Sequence, residues 1–446
     1  YEGGKGTEAE PYLIANVTQL QQMAKDFNSN RNQNVSGYYK LTNDIIFNDT
    51  SDFDNWEKSK PANNWNIKGF WNDWNNMKVF SGTFDGDGHK IIGLYINNTD
   101  QRYSTGFFGA ANGTVKNVSF EKSFLKGINN VGGIVGLATG NCKILNCSFS
   151  GVVNGSANYA GGIVGRYYGN TVEGSNLEIN SCSVEGSVSA VQLVGGFLGN
   201  ISSYGNKSAV ADIISSYAAA YVIGTNSRTG GFIGSVNADN GKAVTNISKS
   251  HYYGTLSDKA EGTLVGSLEG GNTTAVNITD VYYNSEIIGG AANKKIQGEG
   301  KTTLEFSDKT VLNLLNNSNS QEKGYWEWKQ GEKYPDKSRA HLNSLTINLE
   351  DFGFIPTVYE YNKSIAYVNE TATIVPVAAY VSNKIIIDGT VVESGKSFKT
   401  ALEPGETKHI TVKVEDSDGS QITYLLHIIN SYFVVFRYFF IYFIQL

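Results

Sequence analysis

Between residues 100 and 290 apolar and polar positions alternate with a period of two, and no stretch sustains the 3.6-residue period of a helix. Glycine blocks break the alternation at regular intervals. They read TGFFG at 105–109, GGIVG at 132–136 and again at 161–165, GGFLG at 195–199, GGFIG at 230–234 and GTLVG at 262–266. Successive blocks begin 27, 29, 34, 35 and 32 residues apart. A second motif recurs in step: VKNVSFEKSF from Val115, ILNCSFSGVV from Ile144, INSCSVEGSV from Ile179, ISSYAAAYVI from Ile214, ISKSHYYGTL from Ile247 and ITDVYYNSEI from Ile278. Laid over one another without gaps, these copies begin on an apolar side chain. They carry Phe120, Phe149, Val184, Ala219, Tyr252 and Tyr283 at offset 5, and Phe124, Val153, Val188, Ile223, Leu256 and Ile287 at offset 9.

A unit of about 30 residues with two or three short strands cannot bury its own apolar face. Stacking each copy on the next, with strands ~4.8 Å apart, closes a continuous core. The pattern predicts an all-β chain whose residues 101–290 form a β-solenoid, most simply a right-handed parallel β-helix, with offsets 0, 5 and 9 pointing inward. An end coil is an unpaired sheet edge and needs a lid. Residues 1–100 are expected to supply the N-terminal cap and the first coils. The helical cap begins at Asn16, with Gln19 as its capping-box partner and Val17, Leu20, Ala24 and Phe27 on one face. Residues 291–340 are expected to form the C-terminal cap and linker, with an amphipathic helix over 303–317 followed by GYWEWKQGEKYP at 324–335.

The texture changes near residue 341. Glycine thins out, β-branched alternation strengthens, and Asp388-Gly389, Pro404-Gly405 and Asp418-Gly419 mark turns. Residues 341–430 therefore read as a separate immunoglobulin-like β-sandwich that folds on its own. Residues 431–446 form an apolar tail interrupted by Arg437 and shorter than the ~20 residues of a spanning helix, which leaves membrane attachment open. The chain opens on Tyr1 with no charged-then-apolar leader, reading as a mature secreted product or a fragment.

Composition narrows the function. Lys and Arg total 36 against 42 Asp and Glu, a net charge of −6 over 446 residues with no basic face, so nucleic acid is not an expected partner. Three cysteines make no disulfide framework and show no zinc spacing, and no metal or other cofactor is expected. Cys147 and Cys182 share offset 3 with Val118, Tyr217 and Val281, where a Cα separation near 5 Å admits either a disulfide or a ladder of reduced thiols. The five histidines never form HExxH, and GxSxG and P-loop motifs are missing, so no catalytic residues are assigned. Asp85 and Asp87 in FDGDGH form the best acidic pair, read mainly as a turn whose carboxylates cap their own backbone. Trp56, Trp65, Trp71 and Trp74 crowd an Asn-rich polar stretch with Phe53 and Phe70. Flat rings among amides are what a sugar-binding face needs, so these four are the candidate ligand-binding residues; the competing reading is that they plug the first coil.

The glycine blocks resemble the GLUG repeat of bacterial surface proteins. The stretches GTEAEPYLIANVTQLQQMA, YYKLTNDIIF and FSGTFDGDGHKIIGLYI are similar to the segment that commonly precedes such repeats, so the likeness covers about residues 6–336. It implies a right-handed β-helix in an exported protein, one module among several, without assigned catalytic residues. The segment from 341 resembles the cadherin-like β-sandwich repeat of bacterial surface proteins, including Phe354 and Pro356 before Tyr359 and Tyr361, though no calcium ligand set accompanies it. Two function classes follow. The favoured one is a non-enzymatic secreted or cell-surface protein, adhesin- or stalk-like, binding a glycan or a host or cell-surface protein. The alternative is a β-helical polysaccharide lyase or glycoside hydrolase. The coil offsets carry mainly Ser, Asn, Gly and Tyr rather than matched Asp/Glu and Lys/Arg, which favours the first.

Overall fold

The computed structural model describes residues 1–30, 34–67, 69–70, 78–169, 175–239, 241–270, 273–289, 295, 297–316, 326–327, 333–337, 340–352, 354, 360–366, 371–379, 382–416 and 420–431. The chain divides into two compact units, one of Tyr1–Gln321 with Trp326–Lys337 and one of Glu322–Tyr325 with Ser338–Leu446.

The first unit is a parallel β-helix. On one face Thr114–Lys116, Cys142–Leu145, Asn176–Asn180, Ser208–Ile214, Lys242–Tyr252 and Thr274–Asn284 run side by side in parallel. Each coil then bends and continues in the strands Ser119–Gly127, Ser148–Gly155, Ser183–Ala190 and Tyr217–Gly224. A second large sheet contains Phe108–Ala111, Val135–Thr139, Val164–Gly169, Leu198–Tyr204, Ile233–Asp239 and Val265–Glu269. Between the two lies a narrow ribbon of Val131–Gly132, Asn158–Gly161, Gln192–Gly195 and Thr229–Gly230.

One corner of the coil is made the same way every time. Asn117, Asn146, Ser181, Ser215, Lys249 and Asp280 all take left-handed backbone, with φ between 46° and 58°. Asn and Asp tolerate this region best, and here their amides also stack. Asn146 donates to Asn117 Oδ1 at 3.1 Å, and Asn117 donates to Asp85 Oδ1 at 2.9 Å. The second glycine of the four Gly-Gly blocks answers a different need, close approach between coils. A Cβ on Gly162 would stand 2.3 Å from the Gly196 carbonyl oxygen and 2.4 Å from Val184 Cγ1. Ile134, Ile163, Phe197 and Phe232, the residues after these glycines, and Leu264, which follows Thr263 in the last block, are wholly buried in the shared core.

The corner ladder also corrects the ungapped register. In the fourth copy Ile213, not Ile214, lies between Ile179 and Ile247 and is wholly buried, while Ile214 pairs with Asn180 and Ser248 and is only partly buried. The rest of that copy moves with it. Ala218 replaces Ala219 beside Val184 and Tyr252, Ser216 replaces Tyr217 in the cysteine row, and Val222 replaces Ile223 between Val188 and Leu256. In the first copy a bulge between Phe120 and Ser123 adds a residue, so Leu125 rather than Phe124 faces Val153. At the last coil Ile288, not Ile287, is buried. A shift of one residue turns every following side chain to the other face. Cys147 and Cys182 occupy adjacent rungs as buried thiols, each sulfur 3.3 Å from a backbone carbonyl.

The helix Val17–Ser29 packs Leu20, Met23, Ala24 and Phe27 onto the first coils, with Val17 only partly buried. Asn16 caps it by accepting from the Gln19 backbone at 3.1 Å. Gln19 returns to the Ala15 backbone rather than to Asn16, one residue beyond the box. The expected single helix over 303–317 is two short ones, Thr303–Ser307 and Thr310–Leu315, separated by Lys309 at φ 72°. Thr302 and Glu305 form a reciprocal capping box there, and Phe306, Val311 and Leu315 turn inward. Against the outer face of the coils Tyr217, His251, Tyr253, Phe306, Trp326 and Tyr334 make an aromatic layer.

The second unit is a β-sandwich. One sheet holds Glu350–Asp351, Leu342–Ile347, Thr371–Ala378 and Phe398–Ala401, the other Glu360–Ala366, Gln421–Ser431, Thr407–Glu415, Lys384–Ile387 and Thr390–Val392. Leu345, Ile374, Ile387, Val412, Tyr424 and Leu426 lie in its own core. Asp388 and Gly389 both take positive φ, the two-residue turn that joins Ile387 to Thr390. Expressed alone, residues 341–430 are expected to give a β-type circular dichroism spectrum and one cooperative melt; a disordered product would show that the sandwich needs the β-helix. Pro356, Tyr359 and the apolar segment 432–446 lie outside the described residues. Among the described residues no helix is long and apolar enough to cross a membrane.

Candidate functional site

The tryptophan stretch is the first place to look, and two of its four rings are already used by the core. Trp56 is 2% exposed and meets Phe53, Tyr95 and the Phe124 cluster edge-on. Trp65 is also 2% exposed, stacks on Phe107 at 4.8 Å and 7°, and donates its Nε1 hydrogen to the Phe107 carbonyl at 2.7 Å. Neither offers a ring face to a ligand, so both are corrected from binding to packing residues: Trp65 joins the main core, and Trp56 covers the outward-turned rings of Tyr95 and Phe124. Trp71 and Trp74 lie outside the described residues. The 220 Å³ cleft beside Trp65 is lined by Asn64, Asn97, Asn98 and Tyr103, whose polar groups largely satisfy one another. Asn98 donates to Tyr103 O and Thr105 Oγ1, both at 3.1 Å, and Asn64 accepts from the Asn97 backbone.

The acidic turn is equally self-contained. Asp85 Oδ1 accepts from the Asp87 backbone at 2.9 Å, Lys116 sits 3.2 Å from Asp85, and Lys40 sits 3.0 Å from Asp87. Burial pushes the Asp87 carboxyl upward and Lys40 opposes the shift. Among the described residues no three His, Cys, Asp or Glu side chains gather as a metal site.

A different cleft, also 220 Å³, opens where the narrow ribbon meets the second large sheet. Tyr159, Leu193 and Arg228 form its ribbon wall on three successive rungs, all in left-handed backbone at φ 65°, 60° and 62°. Bulky residues rarely hold this conformation, which costs about 1 kcal/mol or more each. The opposite wall carries Arg166, Tyr168, Asn200, Ser202, Asn237 and Asp239. The Arg166 guanidinium lies between two rings, its Cζ 4.9 Å from the centroids of both Tyr159 and Tyr168. Its Nε and Nη2 donate to Ser202 Oγ at 3.1 and 3.0 Å. Arg166 makes no ion pair among the described residues, and burial pulls its proton affinity down. The neighbouring Arg228 is neutralised, with Glu269 at 2.5 Å. Among the described residues the Arg166 charge is met by two ring faces and a hydroxyl, with Asp239 on the same wall unpaired to it, an arrangement that leaves room for an anion.

Sequence reasoning passed over this cleft, although a signal was there. The residue after each glycine block is Ala110, Leu137, Arg166, Asn200, Ser235 and Ser267 in turn, so one copy places a charge where the others place small, apolar or amide side chains.

Residues 342–430 match the cadherin-like β-sandwich domain family. The second unit is a cadherin-like sandwich. Halomucin of Haloquadratum walsbyi is 30% identical over 181 residues, 38% of this chain and 2% of halomucin. A putative Gly-rich membrane protein of Evansella cellulosilytica is 32% identical over 144 residues, 32% of this chain and 14% of that protein. The chain therefore spans only a small part of either relative. Among solved structures, a putative immunoglobulin A1 protease from Bacteroides ovatus is similar with a TM-score of 0.55 at 21% identity, over 76% of this chain and 95% of that one. At that identity the likeness is one of fold.

Proposed function

We propose that this is a non-enzymatic secreted or cell-surface protein, adhesin- or stalk-like, whose GLUG-type β-helix presents a binding surface for a glycan or for a protein on another cell. The carrying observation is how the outward carboxylates of the coils are used. Asp212 accepts from Asn176 at 2.8 Å and Asn246 at 2.6 Å on the flanking coils, and Glu178 pairs with Lys143 and Glu121 with Lys90. Glu185 accepts from Tyr217 at 2.9 Å and Tyr334 at 3.3 Å. These groups hold rungs together, whereas acid–base catalysis needs a carboxylate left available to a substrate proton. A cadherin-like sandwich and relatives described as a halomucin and a membrane protein fit the same surface role. The test is an array of neutral and acidic glycans and surface proteins probed with the full chain, run beside an activity screen on uronate polymers. Saturable retention on the array with intact polymers is the expected result; polymer cleavage would favour the lyase or hydrolase reading.

A further inference from the structure

We infer that the cleft between Tyr159 and Tyr168 is a subsite for the carboxylate of an acidic sugar, taken by the Arg166 guanidinium. The inference rests on the glycan-binding reading above and adds the ligand's chemical class and its site. Three observations carry it. First, Arg166 is a partly buried cation with no ion pair among the described residues, although the adjacent coil gives Arg228 a carboxylate of its own. A guanidinium has five N–H donors, and the two bonds to Ser202 Oγ leave the others available to a planar, bidentate acceptor. Second, the walls suit a pyranose. Tyr159 and Tyr168 hold the guanidinium between them, Tyr204 stands 59% exposed at the rim as the ring surface for a sugar, and Asn200, Asn237 and Asp239 supply groups for hydroxyls. The 220 Å³ volume is below the roughly 300–1,000 Å³ of drug-sized pockets and fits one sugar unit of a longer chain. Third, the ribbon wall holds Tyr159, Leu193 and Arg228 in left-handed backbone, so the protein keeps strained bulky residues on the cleft where glycine would relax the corner. A phosphate would satisfy the charge, but the aromatic walls and amides favour a sugar acid. An acidic peptide is the competing ligand, and the experiment separates it.

The experiment titrates the full chain with four probes: an oligouronate, its carboxyl-reduced neutral counterpart, sialyllactose, and an Asp/Glu-rich peptide. The oligouronate or sialyllactose is expected to bind, the carboxyl-reduced sugar at least tenfold more weakly. Arg166→Gln is expected to lose at least tenfold for the acidic sugar with an unchanged melting temperature. Tyr204→Ala on the exposed rim is expected to lose several-fold, which keeps the site testable if Arg166→Gln misfolds. Equal affinity for acidic and reduced sugars overturns the carboxylate subsite while leaving glycan binding in place. Unchanged acidic-sugar affinity in both variants overturns the location, and preference for the peptide overturns the sugar. Binding to none of the probes, with retention of neutral glycans or proteins on the array, overturns this inference alone, whereas silence in both experiments removes the binding reading as well.

Discussion

Replacing Ile213 by Asp is expected to unfold the β-helix, while the same replacement at Ile214 is expected to leave it folded. Ile213 is wholly buried in the row Val115, Ile144, Ile179, Ile213 and Ile247, and the parallel registers on both sides place nothing polar beside it. A carboxylate there has no cation and no donor, and burying it, or protonating it to avoid the charge, costs several kcal/mol. Since whole-domain stabilities run about 5–15 kcal/mol, and a solenoid transmits a broken rung to its neighbours, the native state should be lost or reduced to a molten remnant. Ile214 lies on the opposite face between Asn180 and Ser248, and Asp there should cost about 1 kcal/mol or less. Urea unfolding followed by circular dichroism distinguishes the pair. The reverse order of stabilities would mean that the fourth coil is threaded one residue away from the register described.

The second large effect is a loss of stability in mild acid that traces to one histidine. His251 is wholly buried in the aromatic layer against the outer face of the coils, stacked on Tyr217 at 5.1 Å and 6° and flanked by Trp326, Phe306 and Tyr334. Its Nε2 hydrogen is donated to the Pro335 carbonyl at 2.7 Å, and its buried Nδ1 has no hydrogen-bond partner among the described residues. Adding a proton at Nδ1 would create a buried charge with no acceptor. Burial therefore lowers its pKa from the ordinary 6.5 to about 4, only partly opposed by the Pro335 carbonyl and by Asp336. Above pH 6.5 the ring is neutral in both folded and unfolded chains and adds no pH dependence. Between pH 6.5 and about 4 the unfolded chain takes up a proton that the folded chain refuses, so stability falls as pH falls, by about 3 kcal/mol in all. His251→Gln retains a donor for Pro335 and removes the titration. Melts of both proteins between pH 7 and pH 4 should diverge by about that amount, the wild type losing more. Parallel curves would show that His251 is not enclosed by the cap.

The architecture was legible from the chain because a solenoid makes its contacts between neighbouring repeats, so each coil writes the same inward rows and the same close-approach glycines into the sequence. Errors arose where one side chain could serve either face. DIISSY offers two adjacent isoleucines, and choosing Ile214 over Ile213 moved the fourth copy by one residue; only the left-handed corner at Ser215, in line with Asn146, Ser181 and Lys249, decides between them. The bulge near Lys122 displaced Phe124 in the same manner, turning it outward to meet Trp56 and Tyr95. Composition misread two of the four candidate rings for a related reason. Trp56 and Trp65 sit in a polar neighbourhood along the chain but an apolar one in space, and sequence distance reports only the first. The Arg166 cleft escaped notice because its walls come from several coils and two sheets, with Tyr159 and Arg228 about two repeats apart in the chain.

The measurement closest to the central claim, that the β-helix binds without turning its ligand over, is a long incubation of the full chain with whichever acidic oligosaccharide it retains, read by mass spectrometry alongside a binding isotherm. A saturable isotherm with the oligosaccharide mass unchanged at every time point is the predicted result. Progressive appearance of shortened or unsaturated fragments, proportional to protein and lost in Arg166→Gln, would contradict it and make the cleft a catalytic one.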